Sequence, residues 1–303
     1  MSGICDGRVV IVTGSGRGLG RAHALELGRQ GASVVVNDLG VALDGTGTSG
    51  GPADEVVAEI EAAGGVAAAN GADVSDFDGA EGLVAFAIDT FGRLDAVVNN
   101  AGIVRDRMFA NATADEWDAV MAVNLKGHFT VSRHAAAHWR NRSKAGEAVD
   151  ARIVNTSSGA GIMGSIGQAA YSAAKGGIAT LTLVQAAELG RYGVMSNAIA
   201  PAARTRMTEG AFEAMMAEVD EGDFDAMDPA NVSPLIAWLV STDSTGITGR
   251  MFEIEGDQIG IADGWQHGPT THKGGARWEA GELGDVVRGL IADAPDPTPV
   301  YGT

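Results

Sequence analysis

Cysteine, aromatic residues and positive charge are all scarce in this sequence, and each shortage excludes a class of structure or function. Cys5 is the only cysteine among 303 residues, so no disulfide can form within the chain. A single thiol also argues against a cysteine-bound metal, and we expect no metal site. Aromatic residues make up 5% of the chain, against 44 glycines. That mixture disfavours an aromatic-rich β-sandwich and suits close packing of helices on a sheet.

Negative charge dominates, with a formal net charge of −18 at pH 7. Because nucleic-acid binding needs a basic surface, we expect no nucleic-acid partner. No apolar run approaches the roughly 20 residues of a membrane-spanning helix, so we expect no membrane association. Residues 1–8 lack the basic flank and apolar stretch of a signal peptide, and residues 301–303 are not a peroxisomal SKL ending. We therefore expect a cytoplasmic protein.

Short β-branched runs alternate with helical patterns along most of the chain. This alternation is typical of a parallel sheet covered by helices on both faces. The predicted strands are Arg8–Thr13, Ser33–Asp38, Val66–Asn70, Asp95–Asn99, Arg152–Thr156, Met195–Ala200 and Met251–Glu255. The sequence therefore predicts an α/β fold with a single Rossmann-like, doubly wound parallel sheet of about seven strands and a C-terminal extension.

Two helix starts are indicated by capping boxes. Ser75 with Asp78, and Thr113 with Glu116, have the spacing at which a hydroxyl and a carboxylate satisfy the first backbone N–H groups of a helix. The longest helical pattern follows the second box and runs from Thr113 to about Arg142.

Two stretches break the alternation. Residues 40–52 contain too much glycine for a helix or a strand and predict a long loop. Residues 257–303 carry scattered glycine and proline, with one helical candidate at 282–292. Because this tail has too few apolar residues for a core of its own, we expect it to pack on a domain formed by residues 1–256.

Glycines cluster where the first strand meets the first helix, in Thr13–Gly20 (TGSGRGLG). At such a junction the chain must turn sharply, let a pyrophosphate approach its backbone and pack the helix closely on the sheet, and glycine favours each step. The N-terminus of the helix then attracts the phosphates. The placement predicts a dinucleotide site, and the alternative is a turn with only a structural role.

An acidic residue follows at the end of the second strand. Asp38 stands eighteen residues after Gly20, close to the spacing at which a carboxylate binds the adenosine ribose hydroxyls. A carboxylate there repels a 2′-phosphate and favours NAD over NADP, although Arg17 in the turn acts in the opposite direction. Asp73, after the third strand, could bind the adenine amino group or simply shape the turn before a helix.

Tyr171 and Lys175 lie four residues apart at the start of a helical pattern, so they share one face. A phenol with an ordinary pKa of about 10 is a poor base at neutral pH, and a neighbouring ammonium lowers that pKa by stabilising the phenolate. The pair predicts an acid/base couple. This spacing alone is not specific, because many solvated helix faces carry a tyrosine and a lysine.

Five motifs in order resemble the short-chain dehydrogenase/reductase family: Thr13–Gly20, Asn99–Gly102 (NNAG), Asn124, Ser157–Ser158 and the Tyr171/Lys175 pair. The family's catalytic serine precedes the tyrosine by thirteen residues, which selects Ser158. The resemblance extends to about Gly256 and makes residues 1–256 the dinucleotide-binding catalytic domain. It implies an enzyme that interconverts a secondary alcohol and a ketone with NAD.

The resemblance also implies roles for particular residues. Ser158 binds the substrate oxygen, and Tyr171 gives or takes its proton. Lys175 lowers the tyrosine pKa and binds the nicotinamide ribose, while Asn124 passes protons to solvent. The implied cofactor-binding residues are Gly14, Arg17, Gly18, Leu19, Gly20, Asp38, Asp73, Val74, Asn100, Ala101, Gly102, Tyr171, Lys175, Pro201 and Thr205.

One motif departs from the family pattern. After the sixth strand the usual Pro-Gly is replaced by Pro201-Ala202, and Arg206 stands where a threonine is usual. Thr205 or Thr208 is left to make the cofactor contacts of this loop.

Finer resemblance at Val34–Gly40, Arg105–Phe109 and Arg206–Thr208 is to the dehydrogenase part of peroxisomal multifunctional type 2 enzymes and to related hydroxysteroid dehydrogenases. It implies a stand-alone dehydrogenase whose partner is a small-molecule substrate, a 3-hydroxyacyl-CoA or a steroid-derived hydroxy compound. The alternatives are a reductase of a small ketone or free hydroxysteroid and, in a different class, a non-catalytic nucleotide-binding redox sensor. Family analogy implies a homodimer or homotetramer.

Two features bear on the substrate without deciding it. Binding of CoA phosphates needs local positive charge, for which Arg105, Arg107 and the cations of the tail are available. The stretch Ile261–Trp278 of the tail either packs near the substrate entrance or wraps the domain far from it.

Overall fold

The computed structural model describes residues 3–40, 51–204, 223–262, 266–296 and 299–301. Its strands are β1 (Val9–Thr13), β2 (Ser33–Asn37), β3 (Val66–Asn70), β4 (Ala96–Asn99), β5 (Ala151–Thr156), β6 (Val194–Ala202), β7 (Met251–Glu255) and β8 (Gln258–Ala262). They form one eight-stranded sheet in the order β3-β2-β1-β4-β5-β6-β7-β8. Neighbouring strands run parallel except β7 and β8. The predicted α/β fold with a doubly wound parallel sheet is confirmed.

The central strands are apolar along their whole length because helices cover both faces of the sheet. All of β1 is buried, and so are four of the five residues of β2. β1 lies between β2 and β4, so the order of the strands reverses there. In sheets of this topology the loops diverge at the reversal and leave a crevice outside the carboxyl ends of the strands.

The helices are α1 (Gly18–Arg29), α2 (Gly51–Ala62), α3 (Phe77–Phe91), α4 (Ala114–Val120), α5 (Gly127–Lys144), α6 (Gly159–Met163), α7 (Ala169–Leu189), α8 (Ser233–Val240) and α9 (Leu283–Asp293). α1, α2 and α8 pack on one face of the sheet, whereas α3 and α5 pack on the other, with α7 beside α5. Across the ranges described, no helix has both the length and the apolar character needed to cross a membrane.

One predicted cap is confirmed and the other is wrong by one residue. Thr113 and Glu116 form a complete capping box at the start of α4. At α3 the cap is Asp76, whose carboxylate accepts from Gly79 N at 2.8 Å. Ser75 instead donates to the Asp73 carboxylate at 2.7 Å. A carboxylate at the next position competes better for the helix amides because its hydrogen bonds are charge-assisted.

The long helical pattern that begins at Thr113 is interrupted by a π-helical turn, Met121–Lys126. The side chain of Asn124 lies within it and donates to the carbonyls of Val120 at 3.0 Å and Ile103 at 2.8 Å. A side chain that binds a helix carbonyl in this way disturbs the regular ladder and kinks the helix. α4 and α5 are therefore separate helices.

The predicted loop of residues 40–52 ends two residues earlier than expected. Helix α2 begins at Gly51, so the last two residues of that stretch are helical, and residues 41–50 lie outside the described part. Pro52 is tolerated because the first N–H groups of a helix have no partner within it.

The alternation of elements also continues further than predicted. β8 follows β7 after a two-residue turn, Gly256-Asp257, in which Gly256 has φ +54°. A Gly-Asp pair between two strands is a hairpin signal, and it explains the extra antiparallel strand. In the tail, α9 confirms the helical candidate at 282–292.

A buried histidine makes the stability of this fold sensitive to acid. His23 of α1 is fully buried, and its Nδ1 lies 2.9 Å from Ser233 Oγ of α8. Burial lowers the pKa of His23 to about 3. An unfolded histidine titrates near about 6.5, so below that pH the unfolded chain takes up a proton that the folded chain does not. Stability present at neutral pH is therefore lost as the pH falls from 6.5 towards 3.

We predict that His23→Gln flattens this acid limb. In the wild type this residue alone should lower the free energy of unfolding by up to about 1.4 kcal/mol per pH unit, and the variant should lack that part of the slope. Urea unfolding at several pH values between about 5 and 8 measures it. His267→Gln, which removes an exposed imidazole, is the control and should keep the wild-type slope. Identical slopes in His23→Gln and the wild type would contradict the assignment.

Candidate active site

The predicted site residues meet at the carboxyl edge of the sheet. Gly14 follows β1, Asn100 follows β4 and Ser158 follows β5, and the parallel strands bring these three ends to one edge. The first two turns of α7 carry Tyr171 and Lys175. Both lie beside the end of β5, since Tyr171 is hydrogen-bonded to the Ser158 side chain and Lys175 Nζ donates to the Thr156 carbonyl.

The glycine turn is a cradle that only glycine can form. Gly14 has φ +61°, and a Cβ there would lie 2.7 Å from Ala101 Cα. A Cβ on Gly20 would collide with the Gly14 carbonyl and lie 2.5 Å from Asn100 Nδ2. Asn100 in turn donates to the carbonyls of Thr13 at 3.1 Å and Gly14 at 3.0 Å. The NNAG segment thus holds the turn open beside the N-terminus of α1.

Asp38 lies against this turn. Its carboxylate accepts from the backbone N–H of Gly16 and of Gly40, each at 2.8 Å. Arg17 is exposed at the N-cap of α1, with Gly18 and Leu19 in the first helical turn. A helix N-terminus with a bare glycine backbone suits a pyrophosphate, and a neighbouring carboxylate suits a ribose, so these residues fit a dinucleotide.

The loop after β3 is organised by its own side chains. Asp73 accepts from the backbone N–H and hydroxyl of Ser75, at 2.8 and 2.7 Å. Val74 is buried, and its carbonyl accepts from the hydroxyl of Thr130 on α5. Asp73 therefore shapes the turn before α3, which is one of the two readings that its position allowed, and its adenine contact stays a proposal.

Lys175 is held at the end of β5 by two buried hydrogen bonds. Its Nζ donates to the Thr156 carbonyl at 2.7 Å, and its own carbonyl accepts from Ser157 Oγ at 2.8 Å. Lys175 Nζ lies 5.5 Å from the centre of the Tyr171 ring. Ser157, which the sequence leaves without a role beside Ser158, thus ties the strand to the helix that carries the acid/base pair.

Asn124 and Lys175 flank the same glycine. A Cβ on Gly102 would lie 2.6 Å from Asn124 Oδ1 and 3.7 Å from Lys175 Nζ. Asn124 is fully buried, and its Oδ1 has no hydrogen-bond partner within the described part of the chain. An open acceptor next to an ammonium is what a bound water would need in order to carry protons.

Burial sets the protonation states of the acid/base pair. Burial raises the pKa of Tyr171 to about 12, against a smaller lowering by the hydrogen bond from Ser158. Burial lowers the pKa of Lys175 to about 7, because a desolvated ammonium loses its hydration. The phenol is therefore a proton donor at neutral pH, and it needs added positive charge to act as a base.

A further histidine lies behind this pair. His128 on α5 is buried, and burial followed by the positive charge of Lys175 holds its pKa well below the ordinary value. It stands four residues after Asn124, so it shares a helix face with that residue. That spacing is the signal by which sequence analysis could have found it.

The segment between Ser158 and Tyr171 consists of the short helix α6 and the turn that follows it. This segment, here called the catalytic loop (residues 159–168), packs on α7. A Cβ on Gly161 would lie 2.6 Å from the Lys175 carbonyl carbon, so glycine allows this approach. At its far end the catalytic loop receives a backbone hydrogen bond from Arg107 N to Gly167 O at 2.7 Å. Pro201 lies at the end of β6, and Thr205 and Thr208 lie outside the described residues.

The family model described as short chain dehydrogenase matches residues 8–216, more than half of the chain. This chain belongs to the short-chain dehydrogenase family. It is an enzyme of the oxidoreductase class, which confirms the resemblance drawn from the five motifs. The family typically binds NAD or NADP, in agreement with the fit of the glycine turn.

The relatives include enzymes of the subfamily that the sequence resembles. The hydroxyacyl-CoA dehydrogenase ChsB1 of Mycobacterium tuberculosis is 44% identical over 289 residues, which cover 95% of this chain and 89% of that protein. The peroxisomal multifunctional enzyme type 2 of Mus musculus is 43% identical over 283 residues, 93% of this chain but 34% of the mouse protein. A crystal structure of a short chain dehydrogenase from Mycobacterium avium is 60% identical with a TM-score of 0.90, over 99% of this chain and 100% of that one.

We propose Tyr171 as the proton-transfer residue and predict that Tyr171→Phe lowers kcat by about 10²–10⁴ while the Kd of the dinucleotide stays near the wild-type value. The substitution removes one hydroxyl and leaves the ring in place. Dinucleotide absorbance measures turnover, and fluorescence titration measures Kd.

Two further variants complete this test. Lys175→Ala should also weaken dinucleotide binding, because we assign Lys175 a ribose contact as well. Tyr192→Phe removes the hydroxyl of a tyrosine outside the site and should change neither quantity. Turnover of Tyr171→Phe within a few-fold of the wild type would exclude the assignment.

Proposed function

We propose that this chain is an NAD-dependent dehydrogenase that interconverts a 3-hydroxyacyl-CoA and the corresponding 3-oxoacyl-CoA. The observation that carries the proposal is the 44% identity to a hydroxyacyl-CoA dehydrogenase over 95% of the chain. The meeting of Ser158, Tyr171, Lys175 and Asn124 at one edge of the sheet supports it.

In the proposed mechanism the protein moves a proton at the substrate oxygen. The dinucleotide, when bound, supplies the hydride acceptor or donor. Ser158 and Tyr171 together bind the oxygen, and Tyr171 takes its proton during oxidation or gives it during reduction. Lys175, at 5.5 Å from the ring, stabilises the phenolate, and the open Oδ1 of Asn124 holds the water that returns the proton to solvent.

NAD rather than NADP is proposed because of Asp38. Its carboxylate is fixed against the glycine turn by two backbone N–H groups, so it cannot swing away from an incoming 2′-phosphate without losing both bonds. Two ribose hydroxyls can instead donate to the free lone pairs of the carboxylate.

We predict that the wild type has a higher kcat/KM with NAD than with NADP and that Asp38→Asn narrows this ratio. The amide removes the negative charge but keeps the shape, so the loss of repulsion raises NADP use while NAD use falls. Kinetics with both cofactors measure the ratio. Asp73→Asn is the control. The contact proposed for Asp73 is with the adenine, which NAD and NADP share, so this substitution should leave the ratio unchanged. A wild type that prefers NADP would refute the Asp38 assignment.

The substrate class is supported by exposed apolar side chains beside the site. Met108 is 59% and Phe109 80% exposed, and both follow the segment that binds the catalytic loop. Ile166, in the catalytic loop itself, is also exposed. Large apolar side chains that are exposed on segments flanking a site are typical of a surface that an apolar ligand covers. An acyl chain fits such a surface better than a small ketone does.

The cations that CoA needs are largely engaged with acids. Arg107 pairs with Glu116 at 2.7 Å. In the tail, Lys273 pairs with Glu282. Binding of the CoA phosphates through Arg107 therefore requires exchange of its partner, which an exposed ion pair permits at low cost.

We predict that a 3-hydroxyacyl-CoA has a kcat/KM at least about tenfold above that of its free 3-hydroxy acid. Binding energy from the CoA part, remote from the reacting carbon, is what should raise the rate. Dinucleotide reduction with matched pairs of thioester and free acid measures this. A panel of hydroxysteroids and small alcohols is the comparison. Equal values for thioester and acid would reject the CoA proposal and favour a free hydroxysteroid, while binding without any turnover would favour the redox sensor.

Three other expectations are proposed with this function. Residues 1–256 form the catalytic domain and residues 257–303 an extension of it, although β8 of that extension is part of the main sheet. A homodimer or homotetramer is proposed from the analogy with the family, and a cytoplasmic location from the sequence.

A further inference from the structure

The end of the described tail lies on the catalytic loop. Tyr301 forms a parallel β-bridge with Ser165. Its backbone N–H donates to the Gly164 carbonyl at 3.2 Å, and its carbonyl accepts from Ile166 N at 3.0 Å. The tail therefore pairs with the loop that joins Ser158 to Tyr171.

The Tyr301 side chain reaches the residue next to Ser158. A Cβ on Gly159 would collide with the Tyr301 hydroxyl and lie 2.8 Å from its Cε2. The ring thus occupies the space that any larger residue at 159 would need. Tyr301 is 41% exposed, so one part of the ring packs on Gly159 and the rest faces open space. Burial, followed by the charges of Glu253 and Glu255, raises the pKa of its phenol, so the ring lies near the end of β7.

The catalytic loop is held from the opposite end as well. Arg107 bridges Gln168, and the Asp106 carboxylate accepts from Gln168 Nε2 at 3.1 Å. The loop therefore lies between two short backbone pairings, one from the 106–107 segment and one from Tyr301. Exposed apolar residues flank each pairing. Phe109 comes two residues after Arg107, and Ile166 donates its N–H to the Tyr301 carbonyl. We call Phe109, Ile166 and Tyr301 the apolar rim.

We propose that Tyr301 is a specificity-determining residue, whose ring forms a wall of the substrate site beside Ser158 and contacts the acyl group of the substrate. The proposal rests on the proposed function for the identity of that group. A ring next to the serine that binds the reacting oxygen is within reach of the carbons attached to that oxygen. A short acyl group does not extend to the rim, whereas a long one lies along it.

The test compares short-chain and long-chain 3-hydroxyacyl-CoA substrates in three variants of the full chain. Tyr301→Ala should raise KM for the long substrate by about tenfold or more, because a lost aromatic contact is of that order, and should leave KM for the short one within a few-fold. Tyr301→Phe keeps the ring and should resemble the wild type. Val66→Ala, at the opposite edge of the sheet and 51% exposed, is the control for loss of an exposed apolar side chain.

A second measurement does not depend on turnover. A stop after Pro299 removes the acceptor of Ile166 N–H, so hydrogen exchange at Ile166 should accelerate, while Tyr301→Ala keeps the backbone bridge and should leave it slow. Unchanged exchange in the shortened chain would overturn the placement of the tail. Equal losses for short and long substrates in Tyr301→Ala would overturn the specificity role and leave only a structural one.

The failure of the proposed function is distinguishable from failure of this inference. If the wild type oxidises no 3-hydroxyacyl-CoA, the proposed function fails. KM is then compared, in the wild type and in Tyr301→Ala, for a bulky and a small secondary alcohol that the enzyme accepts. A Tyr301→Ala variant that discriminates between those two as the wild type does would then overturn the inference.

Discussion

The site depends on one constraint, the fixed position of α7 against the end of β5. Ser158 is on the strand side, whereas Tyr171 and Lys175 are on the helix, so their distance is set by how the helix is held. Asn155 of β5 donates to Thr182 Oγ1 at 2.9 Å and to Gln185 Oε1 at 2.8 Å. These polar groups are buried, and a buried hydrogen bond that is left unmade destabilises the fold by about 1–3 kcal/mol. The helix therefore has one favourable register on the sheet.

The face of α7 that packs on the sheet carries two kinds of residue in succession. The first turns of the helix carry Tyr171 and Lys175, and its later turns carry Thr182 and Gln185. The polar residues lock the helix, and the locked helix keeps an ammonium in a place where burial brings its pKa to about 7. Without the fixed register the lysine would move towards water, which would restore its hydration and its ordinary pKa. Structural hydrogen bonds at one end of the helix thus determine the acid/base chemistry at the other.

Glycine residues fix the geometry of the proposed dinucleotide site by allowing close backbone contacts. Gly14 and Gly20 let the first turn contact the NNAG segment, and Gly102 lets Asn124 approach Lys175. In each case the close approach leaves no room for a Cβ, so the site is built from backbone surfaces. Backbone surfaces have few rotamers to order, so a dinucleotide can bind such a surface without a large loss of conformational entropy.

The sequence by itself determined the fold class and the set of candidate site residues. The central strands are continuous apolar runs, and the glycine turn and the Tyr171/Lys175 spacing are local patterns, so all of them can be recognised in the sequence. The start of α4 at Thr113 was readable for the same reason, since its cap lies within one turn of sequence. The Gly-Asp turn before β8 is a local signal as well.

Only the tertiary structure decided which of these residues touch. The hydroxyl of Ser157 donates to the carbonyl of Lys175, which lies on a different element. The ring of Tyr301 packs on Gly159, although the two residues are almost half the chain apart in sequence. Such contacts depend on the packing of helix, strand and tail, which leaves no periodic trace in the sequence. The pKa values of Tyr171 and Lys175 are decided in the same way, because burial is a property of the assembled fold and not of the residues that it surrounds.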